Sequence, residues 1–181
     1  MIPLTPSLLV ASASVLVGTQ EEGGENRGQM VNLFLREVHL EPGFPWCAAF
    51  VHHAGHWAHY DHRHRASSWP LPATASCKEL GEFAARNGVL SDLPAEGSVF
   101  LLATHATGEF HHTGIVATVD DQWATRDGDR VWMCTTIEGN TNDDGSTEGR
   151  AVLVKHRTFY KNRGDRFIDW PSLDRRGSIA A

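Results

Sequence analysis

The sequence has few cysteines, no excess of basic charge and no long apolar run, and each absence excludes a class of protein. Three cysteines among 181 residues are too few for a fold held together by disulfides, so a reducing compartment or a brief extracellular life fits better. Lys and Arg number 16 against 22 Asp and Glu, which gives a formal net charge of −6. This balance argues against a nucleic-acid partner. The apolar runs are also too short to predict a membrane span.

The N-terminal segment is apolar, but it is a poor signal peptide because the first basic residue is Arg27. A cleaved signal is therefore the weaker interpretation. The stronger one is an amphipathic helix that is capped near Thr5 or Ser7. Its apolar face would comprise Leu8, Leu9, Ser12, Val15 and Leu16.

The hydrophobic period changes along the chain, from helical in the first half to alternating in the second. We expect one domain over residues 1–181, of class α+β, with N-terminal helices packed on a C-terminal antiparallel β-sheet. Further helices are predicted from an Asn26 cap to about His39, from about Pro45 to Tyr60, and from a Ser76 capping box to Asn87-Gly88. Residues 61–75 read as a loop. Strands are predicted over Val99 to Leu102, His112 to Val119, Arg130 to Glu138, Ala151 to Val154 and Arg166 to Trp170, with a hairpin turn at Asp127-Gly128.

Cys47 lies in the first turn of a predicted helix, with Pro45 suited to the first helical position. Unpaired N–H groups and the helix dipole stabilise a thiolate there, which is what a cysteine nucleophile needs. A small buried apolar side chain is an equally good interpretation from local spacing alone. Cys77 follows a helix cap and has a weaker case, whereas Cys134 lies in mid-strand and is expected in the core.

The chain has eleven histidines, and two groups of them are candidates for chemistry. His52, His56 and His59 share a helix face, and this spacing can hold a metal ion, but we favour a solvated polar face. His112 opens a strand directly after His111, and a histidine there can reach across to a helix terminus. A lone histidine in that position would more often be structural.

A polar group, Glu138-Gly139-Asn140, ends the next strand. A histidine base needs a partner that accepts its second N–H, and Glu138 or Asn140 could serve. Asn140 could also position the cysteine or donate to an oxyanion. The alternative is an ordinary polar strand end and turn.

Taken together these residues resemble the CHAP family, the cysteine- and histidine-dependent amidohydrolases/peptidases of the papain-like superfamily. The matching segments come in the family's order between about residues 20 and 155. They are Glu22-Gly23-Gly24-Glu25-Asn26-Arg27-Gly28, Pro45-Trp46-Cys47-Ala48-Ala49-Phe50-Val51, His112-Thr113-Gly114-Ile115-Val116 and Ile137-Glu138-Gly139-Asn140-Thr141-Asn142.

The resemblance implies a papain-like fold and a catalytic set. Cys47 matches the nucleophile, His112 the general base, Glu138 the residue that orients the imidazole, and Asn140 a fourth polar member. No cofactor is implied. The acidic residues before the cysteine are not spaced as a calcium loop, so calcium is not implied either.

The activity implied is cleavage of an amide bond in peptidoglycan, either at the muramyl–L-alanine amide or in the stem or cross-bridge peptide. We expect no separate wall-binding domain. Without a convincing signal peptide, synthesis in the cytoplasm and action in the periplasm or cell wall after delivery or lysis are expected. This fits a phage lysin or a delivered toxin, with delivery machinery or an immunity protein as partners.

Three other functions stay open. The same site could serve a cysteine peptidase or amidase that acts on proteins or small amides. The chain could also be a binding module without catalysis, although the intact catalytic set argues against this. The third is a metal carrier that uses a histidine cluster, namely His52, His56, His59, His62 and His64.

Overall fold

Helices occupy the first half of the chain and strands most of the second, as the change of hydrophobic period predicts. The structure, a computed structural model, describes residues 5–61, 66–67, 69–142 and 149–173. The helices are α1 Pro6–Val15, α2 Gln29–Glu37, α3 Cys47–Ala58 and α4 Cys77–Arg86. The strands are β1 Tyr60–Asp61, β2 Ala66–Ser67, β3 Leu90–Ser91, β4 Val99–Ala103, β5 Phe110–Ala124, β6 Arg130–Thr141, β7 Ala151–Tyr160 and β8 Arg166–Ile168, with a short 3-10 helix Lys161–Arg163 before the last.

One antiparallel sheet carries six strands in the order β3-β8-β4-β5-β6-β7, while β1 and β2 form a separate ribbon. The long β5–β6 hairpin lies within this sheet and turns at Asp127-Gly128, where Gly128 has a φ of 85°. Glycine adopts this left-handed conformation without a steric penalty. The α+β class and the predicted hairpin turn are therefore confirmed.

The two faces of the sheet carry two apolar clusters, because neighbouring strand residues point to opposite sides. The larger cluster packs α1, α2, α3 and α4 on the sheet and includes Ile115 and Ile137. The smaller cluster lies on the opposite face and consists of Phe100, Val116, Trp132, Cys134, Phe159 and Phe167. Each such large side chain contributes roughly 2 kcal/mol by leaving water. Cys134 is fully buried here, as predicted.

Helix α1 begins as predicted but buries a different face. Thr5 caps it, since its Oγ1 accepts a hydrogen bond from the Leu8 N–H at 3.2 Å. The buried residues are Leu9 and Ala13, one turn apart, and Val15 is 85% exposed. The predicted apolar face is therefore wrong at Val15. Helix α1 contacts the rest of the protein along a narrow stripe centred on Leu9 and Ala13, and Val15 lies outside it.

Two other helix starts differ from the prediction. Helix α2 starts at Gln29 after Gly28, which has a φ of 135°, and Asn26 lies in a left-handed turn before it. Pro45 is not the first helical residue, because Trp46 is the N-cap and the helix proper begins with Cys47.

Two strands extend well beyond their predicted ends, since β5 continues to Ala124 rather than Val119 and β7 to Tyr160 rather than Val154. Ser76 caps α4, and its Oγ accepts from the Glu79 N–H at 3.2 Å. Part of the expected loop over 61–75 is in the β1–β2 ribbon, and β8 ends at Ile168, before Trp170. Within the described ranges, no helix has the length and apolar character to cross a bilayer.

Candidate active site

The start of α3 is fixed deep in the protein by the residue before Cys47. Trp46 is fully buried, and its Nε1 donates to Glu21 Oε1 at 2.9 Å. Its ring also packs against Phe34 at a centroid distance of 5.8 Å. Trp46 offers no capping oxygen from its side chain, so the N–H groups of the first turn of α3 have no side-chain cap. Cys47 therefore sits at an uncapped positive helix end.

Two glycines make close packing possible around the start of α3. One lets the sheet approach α3, and the other leaves room for side chains of neighbouring strands. A Cβ on Gly139 would lie 2.5 Å from Phe50 Cβ, so only glycine lets β6 pack against α3 at this point. A Cβ on Gly114 would lie 2.7 Å from Phe100 Cε1 and 3.0 Å from Glu138 Cγ. The glycines of the His-Thr-Gly and Glu-Gly-Asn segments thus make room for the side chains beside them.

His112 and Glu138 form the centre of the site. His112 Nε2 donates to Glu138 Oε2 at 2.9 Å, and the Glu138 side chain is completely buried. Because Nε2 is used in this way, Nδ1 is the nitrogen left for the Cys47 thiol, whose ionised form His112 favours. Three of the predicted residues, from α3, β5 and β6, are therefore brought together.

Arg157 on β7 holds the buried carboxylate and was not predicted from the sequence. Its Nε donates to Glu138 Oε1 at 2.5 Å and its Nη2 to Oε2 at 2.6 Å. Thr136 Oγ1 donates to Oε1 at 2.6 Å. Such a bidentate arginine compensates a buried carboxylate and fixes its orientation. The sequence analysis could not find it, because the predicted strand ended at Val154 and Arg157 lies on the part of β7 beyond that residue.

The site contains a second thiol. Cys77 Sγ lies 3.6 Å from Cys47 Sγ, and both cysteines are buried and free. Each is the first residue of its helix, so the N-terminal ends of α3 and α4 meet at the two sulfur atoms. The sequence analysis placed Cys77 after a helix cap but predicted no contact with Cys47.

The charges in this cluster support one another. The hydrogen bond from the Cys77 thiol, followed by the interaction with His112, holds the pKa of Cys47 well below its ordinary value of 9.0, although burial opposes this. Burial also disfavours a charged His112, but hydrogen bonds to Cys47 and Glu138 outweigh it and raise the pKa of His112 to about 9. Burial likewise disfavours ionised Glu138, yet His112 and Arg157 lower its pKa to about 2. A thiolate beside an imidazolium is a nucleophile ready to attack a carbonyl carbon.

Asn140 lies two residues beyond Glu138 but has a different backbone conformation. Its φ is 53°, and β6 loses its regular register with β7 between Glu138 and Thr141. The side chain is buried, and its Oδ1 has no hydrogen-bond partner among the residues that the structure describes. None of the described hydrogen bonds joins Asn140 to Cys47, His112 or Glu138, so its role stays a prediction.

Of the histidines that the structure describes, none besides His112 interacts with Cys47. His111 is exposed, and its Nδ1 lies 3.2 Å from Thr104 Oγ1. The expected solvated face on α3 is wrong for His59, which is buried between Trp69 and Trp170 at centroid distances of 5.4 and 5.3 Å.

The histidine metal site has no supporting geometry in the described part of the chain. No three His, Cys, Asp or Glu side chains come together there as a metal ion would require. His52 and His56 are neighbours, with ring centroids 5.8 Å apart, but His59 faces the tryptophans. His62 and His64 lie outside the described residues.

Comparison of the chain with family models, curated proteins and solved structures gives no match.

Proposed function

We propose that this chain is a cysteine-dependent amide hydrolase with a papain-like arrangement of Cys47, His112 and Glu138, and that its substrate is peptidoglycan. The observation that carries the proposal is the connected set of thiol, imidazole and fully buried carboxylate, with an arginine clamping the carboxylate. A polar strand end would explain an exposed glutamate, but it would not explain a buried one held by four hydrogen bonds.

The proposed reaction begins with attack of the Cys47 thiolate on the carbonyl carbon of the scissile amide. The imidazolium of His112 gives its proton to the leaving amine, and the neutral imidazole then takes a proton from the water that hydrolyses the thioester. Glu138 keeps the ring oriented, and Arg157 keeps Glu138 ionised. The Cys47 N–H at the start of α3 is a candidate donor to the oxyanion, a contribution of roughly 3 kcal/mol in studied enzymes.

The choice of peptidoglycan depends on the resemblance to the CHAP family, since the site chemistry fits any accessible amide. We expect the cut at the muramyl–L-alanine amide or in a stem or cross-bridge peptide. The other candidate, a cysteine peptidase or amidase on proteins or small amides, would use the same residues in the same roles.

The test is digestion of purified peptidoglycan by the wild-type protein and by Cys47→Ala, with soluble fragments identified by mass spectrometry. His111→Ala is the matched control, because it removes an exposed neighbouring imidazole outside the cluster. We expect new fragments from the wild type and from His111→Ala but none from Cys47→Ala, and the fragment masses identify the bond. Fragments from Cys47→Ala at the wild-type rate would refute the mechanism. A rapidly alkylated Cys47 without any fragments would reject peptidoglycan and favour the other amide substrates.

A further inference from the structure

Cys77 is a buried thiol that forms and breaks no bond in the proposed hydrolysis. Its Sγ atom lies 3.6 Å from the Sγ of Cys47, although the two residues are 30 positions apart in the chain. A disulfide needs the sulfur atoms about 2.05 Å apart, so a movement of roughly 1.5 Å would join them. Rotation about the side-chain bonds of two neighbouring cysteines covers such a distance without moving either helix far.

The surroundings make the two thiols unequal. Cys47 has His112 beside it, which favours its thiolate, whereas the pKa of Cys77 is raised by its hydrogen bond to Cys47, by burial and by the charge on Cys47. The thiolate is the form that peroxides oxidise. Cys47 is therefore the thiol that reacts first, and Cys77 is a protonated thiol in contact with it.

We propose that Cys77 is a resolving cysteine, which forms a reversible disulfide with Cys47 after a small peroxide has oxidised Cys47. In the first step the Cys47 thiolate attacks a peroxide oxygen, the O–O bond breaks, and the leaving oxygen takes up a proton to become water or an alcohol. Cys47 is now a sulfenic acid. In the second step Cys77 sulfur attacks Cys47 sulfur, the S–O bond breaks, and the departing hydroxide takes the Cys77 proton to leave as water. Two thiols are oxidised and one peroxide is reduced.

Oxidation of Cys47 itself promotes the second step. The sulfenic acid is neutral, so the hydrogen bond to the thiolate and the negative charge on Cys47, which both raise the pKa of Cys77, are lost, while the helix N-terminus at Cys77 remains. The disulfide would protect Cys47 from irreversible oxidation to the sulfinic acid. That it also switches off hydrolysis rests on the proposed function, but formation of the disulfide does not.

The third cysteine provides an internal control. Cys134 lies in the apolar cluster on the other face of the sheet, and burial followed by the charge of Asp120 raises its pKa to about 12. A thiol in this state reacts slowly with peroxide. Cys134→Ser should therefore behave as the wild type does toward peroxide.

The experiment exposes the fully reduced wild type, Cys77→Ser and Cys134→Ser to a small excess of hydrogen peroxide without denaturant. Intact masses and non-reduced peptide maps are then recorded. Serine keeps the size of Cys77 and suits the first turn of a helix, so α4 should be retained. We expect a Cys47–Cys77 peptide in the wild type and in Cys134→Ser, and its loss on treatment with dithiothreitol. In Cys77→Ser we expect addition of oxygen to Cys47 that dithiothreitol does not remove, accumulating roughly tenfold faster than in the wild type.

Equal rates of irreversible oxidation in the wild type and Cys77→Ser, without a Cys47–Cys77 peptide, would overturn the proposal. So would a Cys47 that peroxide leaves unmodified while it oxidises free cysteine. Peptidoglycan digestion by the reduced wild-type protein is measured separately. A disulfide that forms in a protein without hydrolytic activity would thus reject the proposed function and leave this inference standing.

Discussion

Two histidine–carboxylate pairs in this molecule have nearly the same N···O distance, although they use different ring nitrogens. His53 Nδ1 lies 2.8 Å from Glu37 Oε2, and His112 Nε2 lies 2.9 Å from Glu138 Oε2. Their surroundings differ, because the Glu37 side chain is 19% exposed and accepts a second bond from Trp57 Nε1, whereas Glu138 is fully buried and clamped by an arginine.

The second difference is on the far side of each imidazole. The His53 ring packs on Phe34 at a centroid distance of 4.6 Å, and its pair joins α3 to α2. The His112 ring faces a thiol at the start of α3. A histidine and a carboxylate within hydrogen-bond distance therefore do not define a site. His112 differs from His53 because it interacts with the Cys47 thiol and because Arg157 holds its carboxylate partner, Glu138.

The largest expected effect comes from removing either end of the thiol–imidazole pair. Cys47→Ala and His112→Ala should each lower the rate of amide hydrolysis by about 10³-fold or more, because nucleophile and acid–base catalyst act as a unit. His53→Ala should retain most of the rate, since its pair lies elsewhere on α3. Initial rates of fragment release from peptidoglycan test this contrast. The contrast between the two pairs would be contradicted if His53→Ala were as inactive as His112→Ala while its circular dichroism spectrum showed that it is folded.

The second prediction concerns the clamp. Arg157→Met keeps the length of the side chain but leaves Glu138 buried without its main cation. We expect a loss of about 2–4 kcal/mol in the free energy of unfolding and a rate lower by roughly 10–100-fold. Arg86→Met is the matched control, because the ion pair that Arg86 forms with Glu82 on α4 is exposed. Denaturant unfolding and initial rates measure both variants, and equal stabilities for the two would contradict a structural clamp.

The third prediction is the alkaline limit of activity. Since the pKa of His112 is raised to about 9, its imidazolium and hence the rate should be lost as the pH rises through about 9. Glu138→Gln removes a charge that raises this pKa, so the limit should move to lower pH. Glu37→Gln should leave it unchanged. Rates measured across the pH range test this. The same alkaline limit in the wild type, Glu138→Gln and Glu37→Gln would show that Glu138 does not raise the pKa of His112.

The smallest expected effect on activity belongs to His59, which has no carboxylate partner among the described residues. Burial between the two tryptophans lowers its pKa to about 4, below its ordinary value of 6.5. The unfolded chain therefore binds a proton more readily, so stability is full above pH 6.5 and is lost as the pH falls toward 4. The loss by pH 4.5 should be roughly 2–3 kcal/mol. Urea unfolding at pH 7 and 4.5 should show this loss in the wild type and less of it in His59→Phe.

The sequence allowed prediction of the elements and of three site residues because their signals are local. Alternating apolar residues, the Thr5 and Ser76 caps and the Asp127-Gly128 turn each depend on residues close in the chain. Cys47, His112 and Glu138 were singled out as polar or reactive residues at the ends of such elements, in segments whose order resembles that of the CHAP family.

The missed features depend on contacts between distant segments. Arg157 reaches Glu138 only through the pairing of β6 with β7, and Cys77 meets Cys47 only because two helix starts converge. His59 was placed on a solvated face because the spacing of residues on a helix does not show which neighbours cover that face. Side-chain partners across a fold are set by tertiary packing, for which the sequence pattern of one element carries no information.

The central claim is that Cys47 is a thiolate paired with the His112 imidazolium in the resting protein. A pH titration of thiolate absorbance in the ultraviolet tests it most directly, as the difference between the wild type and Cys47→Ser. We predict that the signal of Cys47 persists from alkaline pH to a pH well below its ordinary pKa of 9.0, and that in His112→Ala it disappears at a higher pH than in the wild type. A Cys47 signal that disappears near its ordinary pKa of 9.0, with and without His112, would contradict the account.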